Sequence, residues 1–398
     1  MRWKVVGTEK VVYLDYQSSK PVDPDVIAAM MPYMTEKFGN ASSLHEVGDW
    51  STEALDASRR VIAKFINAND PEEIVFTSGA TEASNLALVG FATRNRQKGK
   101  HVIISEVEHI SIHNIAKFLV KNGFEVSKVP VDFTGTVRLD KLAERIRPDT
   151  ILISIQHASN EIGTIQPIAE IGKLAREKGI AFHVDAVASE GQVPIDVQRD
   201  NVDMLTLSSN DIYGPRGVGA LYVRKGISVN PLIIGGGQER GLRSGTEDVA
   251  GIVGFAKAAE ISMANMATES TRLKLWRDQI IEKVLETVPR SHLNGHKVNR
   301  LPNNAHFRFD FIEGESMLIS FKAKGVAVST GSACSSKTLE PSHTLISLGL
   351  LHEEAHGSLE VTLGRWTTQH DVDTFLELLP GIVKRLRDLS PLTKKEEA

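Results

Sequence analysis

Cysteine is nearly absent from this 398-residue chain, in which Cys334 stands alone. A single thiol excludes an internal disulfide and leaves three readings: a buried small hydrophobe, a tolerated surface thiol or a functional thiol. Long apolar runs are missing as well. No stretch reaches the roughly 18 apolar residues of a membrane-spanning helix, and Met1-Arg2-Trp3-Lys4 opens no apolar segment of a secretory signal. The expectation is therefore a soluble, cytoplasmic chain without a membrane partner. Neither sign of charge is in excess. The 46 basic and 50 acidic residues leave a net charge of -4, which gives no global attraction to nucleic acid. No internal repeat is visible, and compositional bias is confined to the Lys- and Glu-rich tail Leu392 to Ala398.

What is present is a long alternation of two periodicities. Apolar, β-rich runs stand at Glu73 to Thr77, His101 to Ser105, Glu125 to Pro130, Ile151 to Gln156, Ala181 to Val184 and Met204 to Leu207. Between them lie helical patterns near Ala83 to Arg94, Ser111 to Asn122, Leu139 to Ile146 and Ile168 to Lys178. Such alternation predicts a mostly parallel sheet covered by helices. Before it come a short strand, Val11 to Asp15, a polar turn, Gln17 to Lys20, and helices at Val26 to Met34 and Ser51 to Asn67. After it a helix from Val249 to Val288 bridges to the C-terminal third. The length exceeds one ordinary core, so two domains are expected: residues 26–266 as the larger, and 1–25 with 267–398 as a smaller α+β domain.

Several loops carry chemistry-bearing residues. Thr77-Ser78-Gly79-Ala80-Thr81-Glu82 leaves a strand and opens a helix, which gathers free N–H groups and hydroxyls at a positive dipole end. An anion site and an ordinary capped helix start are the two readings. Asp185 ends the strand-like Phe182-His183-Val184, where carboxylates of open α/β sheets face the ligand crevice; a helix N-cap is the alternative. His109 follows another strand and reads as a ring to stack on a flat ligand or as a solvated side chain. Cys334 lies in Ser329-Thr330-Gly331-Ser332-Ala333-Cys334-Ser335-Ser336-Lys337, whose small residues favour an exposed loop over a core position.

Taken together, Ser78-Gly79-Ala80-Thr81-Glu82, Glu108-His109, Asn160-Glu161-Ile162-Gly163, His183-Val184-Asp185-Ala186, Ser208 to Gly217 and the Cys334 loop resemble, in order, the motifs of NifS/IscS-type cysteine desulfurases. The resemblance runs from Tyr13 to about Pro391. It implies an α/β chain of the pyridoxal phosphate (PLP) fold type I, aspartate-aminotransferase-like: a large domain around a mixed, mostly parallel sheet plus a small α+β domain, in a homodimer. It also implies site roles. Ala80, Thr81 and Ser208 match phosphate contacts, Asn160 lies at the cofactor's 3′ oxygen, Asp185 pairs with the pyridine nitrogen, and His109 stacks on the ring and transfers protons. Thr246, with Arg243, sits on a loop that reaches the partner subunit's phosphate, and Asn210 occupies the cofactor-contacting position before the Schiff-base residue. Cys334 matches the cysteine that takes up sulfur as a persulfide.

Four positions depart from that pattern: Asp211 replaces the Schiff-base lysine, Asn210 a histidine, Ala188 a glutamine and Glu360 the arginine that grips the substrate carboxylate. A carboxylate cannot condense with an aldehyde. The expectation is therefore a desulfurase-like protein of iron–sulfur cluster assembly in which PLP is absent, or weak and noncovalent, and desulfuration is lost or strongly reduced. It would offer Cys334 to an IscU-type scaffold as sulfur carrier or as ligand of a shared [2Fe-2S] cluster. The alternative is an active desulfurase that turns L-cysteine into L-alanine and an enzyme persulfide with noncovalent PLP.

Overall fold

The computed structural model describes residues 11–330 and 341–391. Its strands, in chain order, are β1 (Val12–Tyr13), β2 (Ile74–Thr77), β3 (His101–Ser105), β4 (Glu125–Val129), β5 (Thr150–Gln156), β6 (Ala181–Asp185), β7 (Met204–Ser208), β8 (Gly219–Val223), β9 (Ser291–Leu293), β10 (Asn304–Phe309), β11 (Val326–Ala327) and β12 (Ser358–Thr362). Seven of them form one sheet in the order β2-β8-β7-β6-β5-β3-β4. The run from β7 to β4 is parallel, while β8 pairs antiparallel with both β7 and β2. Every residue of β3, β5, β6 and β7 is buried, as expected for strands covered by helices on both faces.

The C-terminal part builds a second, antiparallel sheet in the order β12-β10-β9, and β1 joins β11 in a separate parallel pair. The arm expected as Val11 to Asp15 is a strand only over Val12–Tyr13, because residues beyond it turn to meet both parts of the molecule: Asp15 bridges to Thr362 and Lys20 to Asp211. Buried apolar side chains group accordingly. One cluster contains Val26, Phe76, Leu205 and Phe255; another contains Leu14, Ile280, Phe307, Val361 and Phe375. The 39-residue helix Val249–Thr287 contributes its first turns to the former and its last turns to the latter. A two-domain boundary near residue 266, inside this helix, is proposed from that change of partners.

The site is positioned by the C-terminal ends of the parallel strands. β2 runs through Ser78-Gly79 into a helix that starts at Ala80, three residues before the periodicity predicts, and continues through a wider turn, Leu86–Gly90, to Arg94. β6 ends on Asp185, and β7 leads to the short 3-10 turn Ser209–Ile212 that carries Asp211. Tyr213 closes this turn with φ of 67°. This is a left-handed conformation uncommon for a side chain of its size. It is held by Tyr16 and Trp366 at 6.5 and 5.1 Å and by the Arg365 guanidinium 4.4 Å from the ring centre.

Candidate functional site

A cavity of about 230 Å³ opens where these ends converge, lined among others by Thr81, His109, Asn160, Asp185, Asp211 and Glu360. Ala80, Asn210 and Ala188 also border it, so most of the residues singled out in the sequence do meet in space. Ser208 and Thr246 are not among its lining residues. The Ser208 amide instead donates to Glu190 Oε1 at 2.8 Å, and Thr246 is exposed on its loop. Cys334, the catalytic and metal-ligand candidate, lies outside the described residues; Ser329, near the base of its loop, borders the cavity. No group of three or more His, Cys, Asp or Glu is arranged to hold a metal ion among the described residues.

At one end the cavity suits an anion. The helix from Ala80 begins with no side-chain cap, and the Gly79 Cβ direction, at φ of 143°, is open. Its first N–H groups are thus left to a ligand. Glu82 stays outside this role, accepting from Ser78 N at 2.8 Å and pairing with Arg243 Nε at 3.0 Å. The middle of the cavity suits a flat ring. His109 caps the next helix through Nδ1, which accepts from Ser111 N at 3.2 Å and lies 2.7 Å from Ser111 Oγ, so the imidazole has a fixed orientation. Asp185 Oδ1 accepts from Val187 N at 3.1 Å, and burial pushes its carboxyl above the ordinary value, an effect that the nearby His109 opposes.

Next to His109 in the chain, the Glu108 side chain is fully buried, with Oε1 accepting from Ser105 Oγ at 2.6 Å and Gln156 N at 3.0 Å. Its other oxygen has no partner, and burial, with a smaller contribution from Asp185, raises its pKa to about 8. Glu360 is 3% exposed on β12. Its Oε1 accepts from Asn304 Nδ2 at 3.3 Å. Burial first, then the carboxyls of Glu161 and Asp15, push Glu360 well above the ordinary carboxylate range. The sequence predicts a repulsive anion here; the structure instead presents an acid held toward its neutral form.

The far end decides whether PLP fits. Asp211 occupies the position that the resemblance gives to the Schiff-base residue, and among the described residues that line the cavity there is no lysine or arginine. The anion turn, His109 and Asp185 suit phosphate, ring and ring nitrogen; among the described residues lining the cavity, none suits the covalent bond to the aldehyde. An amine does come close from behind. Lys20 Nζ donates to Asp211 O at 2.6 Å and stands 3.6 Å from Asp211 Oδ1, but Lys20 does not line the cavity. Neither Lys20 nor its neighbour Glu190 is visible as functional in the sequence, where Lys20 belongs to a polar turn.

The model of the class-V aminotransferases, described as "Aminotransferase class-V", matches residues 12–375. The chain belongs to this family. Among class-V proteins it is 57% identical over 383 residues to "Cysteine desulfurase IscS 1" of Archaeoglobus fulgidus, covering 96% of this chain and 100% of the relative. It is 51% identical over 392 residues to "Cysteine desulfurase IscS" of Methanosarcina thermophila, covering 98% and 96%. A solved "NifS-like protein" superposes with a TM-score of 0.88 at 34% identity, covering 94% of this chain and 100% of the other, and a NifS-like protein from Rickettsia africae gives 0.85 at 30%, covering 94% and 99%. This class-V chain therefore has the type I α/β architecture that its motifs imply.

Proposed function

We propose that this class-V protein handles sulfur for iron–sulfur cluster assembly and that its PLP-dependent desulfuration of L-cysteine is strongly reduced. One observation carries the reading: the cavity that gathers Asp185, His109 and the Ala80 turn presents Asp211 where covalent attachment needs an amine. PLP held there without a covalent bond would supply an electron sink for bonds at the substrate's α-carbon. The helix start at Ala80 would receive its phosphate, His109 would cover its ring and Asp185 would hold a proton at its nitrogen. Cys334 would carry sulfur to an IscU-type scaffold or complete a [2Fe-2S] cluster with it, and the working unit would be a homodimer in the cytoplasm.

A second reading has specific support. The relatives at 57% and 51% identity are both called cysteine desulfurases, which favours an active enzyme; with Asp211 in place of a lysine, it would use PLP noncovalently. In that case Asp211 and His109 would carry out the proton transfers. Sulfide release from L-cysteine, with and without added PLP, separates the two. Release at background level supports reduced activity; release that requires PLP and is abolished by Cys334→Ala establishes the active enzyme.

A further inference from the structure

Behind the main cavity lies a second void of about 20 Å³, bordered by Lys20, Glu190, Gln192, Asp211 and Asn303. Asp211 is the one described residue that lines both spaces. The small void is polar and poorly satisfied. Glu190 and Asn303 are each 1% exposed, yet Glu190 Oε2 and Asn303 Oδ1 have no partner, and neither does Gln192 Oε1. Lys20 is 4% exposed and spends one N–H on Asp211 O. Its Nζ also stands 3.6 Å from Asp211 Oδ1 and 5.8 Å from the centre of the Tyr213 ring. Arg365, which also borders the void, is already paired with Glu269 and Asp23, each at 2.7 Å.

A void of this size holds one water, which needs two to four polar partners, and these groups supply them. A bound cation would meet the Lys20 ammonium at close range, so water is the better occupant. The Glu190 carboxyl can be tolerated there only if it is paired or protonated. Burial first, then the Asp211 charge, push it well above the ordinary carboxylate range, with Asp185 adding and Lys20 opposing. Glu190 Oε1 accepts from Ser208 N, which leaves Oε2 to carry the proton.

We propose that Glu190, one water in the small void, and Lys20 form a buried proton relay that serves the Asp211 carboxyl on the wall of the large cavity. In one direction the Glu190 Oε2–H bond breaks and its proton passes to the water. The water returns a proton to Lys20 Nζ as Lys20 gives one to Asp211 Oδ1. Water and ammonium end unchanged, Glu190 becomes a carboxylate and Asp211 a neutral acid, and no other reactant is needed. The relay itself stands without PLP. Its use in turnover rests on the active-enzyme reading, in which Asp211 takes over proton transfer at the position of the missing amine.

Infrared difference spectra of the full chain in H₂O and D₂O test the relay directly. The account expects Glu190→Gln to remove one protonated-carboxyl stretch, and Asp211→Asn and Lys20→Gln each to shift that stretch. Lys20→Arg, which keeps the charge, should shift it less and guards against a folding defect in the glutamine variant. No stretch lost in Glu190→Gln, or a stretch indifferent to both Asp211→Asn and Lys20→Gln, overturns the proposal. Exchange of the α-proton of L-alanine into D₂O with added PLP is read in parallel, with a tenfold or greater loss expected in Asp211→Asn. Absence of exchange in the unmodified chain, with the infrared coupling intact, would fail the active-enzyme reading and leave the relay standing.

Discussion

Replacing Asp211 by lysine would set a second ammonium beside Lys20, whose Nζ lies 3.6 Å from the present carboxylate. Like charges so close in a site with little solvent repel by several kcal/mol at most. Asp211→Lys alone should therefore give only weak covalent binding of PLP, and adding Lys20→Thr should tighten it about tenfold, roughly 1.4 kcal/mol. Absorbance titration of the two variants checks this; equal affinities would remove Lys20 from the account. Glu108 sets a pH dependence. Its pKa of about 8 in the folded chain lies above the ordinary 4.5, so the folded state binds the proton more tightly. Its contribution is complete below pH 4.5 and is lost as pH rises through 8. His183 and His113 act in the opposite sense. Burial lowers both from 6.5 to about 3, so their contribution is present above 6.5 and lost as pH falls toward 3. Thermal unfolding should be most resistant near pH 6 to 7, and Glu108→Gln should flatten the alkaline limb by a few °C. An alkaline limb unchanged in that variant would contradict the assignment.

Among the elements, the loop bearing Gly235-Gly236-Gly237 is tied to the helix Glu46–Phe65 by one buried ion pair and to the large sheet by a hydrogen bond. Arg59 reaches Glu239 with two bonds of 2.8 and 2.7 Å, and Glu239 also accepts from Phe76 N at 2.9 Å while its own φ is 48°. Glu239→Ala leaves Arg59 buried without its carboxylate and should cost about 3–5 kcal/mol. Chemical denaturation measures it, and a loss under about 1 kcal/mol would mean that Arg59 finds another partner. Which elements were legible in the sequence follows from the same physics. Strands such as β3 and the helix Ile168–Lys178 match their expected bounds because each is a periodic apolar segment with clear ends. The second helix starts at Glu46 and not at Ser51, because the His45 ring caps it through Gly48 N in a polar stretch without apolar period. Asp185, His109 and Thr81 could be placed from local motifs. Lys20 could not, since its partner is 191 residues away and only the folded chain brings the two together.

For the whole molecule, the first helix, Pro24–Thr35, leaves Ile27, Met31 and Met34 half exposed, and Phe38 just beyond it is 71% exposed. Apolar side chains at this spacing share one face, and such a face suits a partner surface. If the homodimer forms, light scattering after size exclusion should give twice the chain mass, and Met31→Glu with Met34→Glu should shift it toward the monomer; a monomeric unmodified chain would contradict the expectation. The central claim is the proposal that the site forms no covalent bond to PLP. The most direct measurement is the intact mass of the chain after incubation with PLP and reduction by borohydride, with peptide mapping of any adduct. The account predicts an unmodified mass for the native chain and one phosphopyridoxyl group on residue 211 of Asp211→Lys. A stoichiometric adduct on the native chain, at Lys20 or any other lysine, would contradict it.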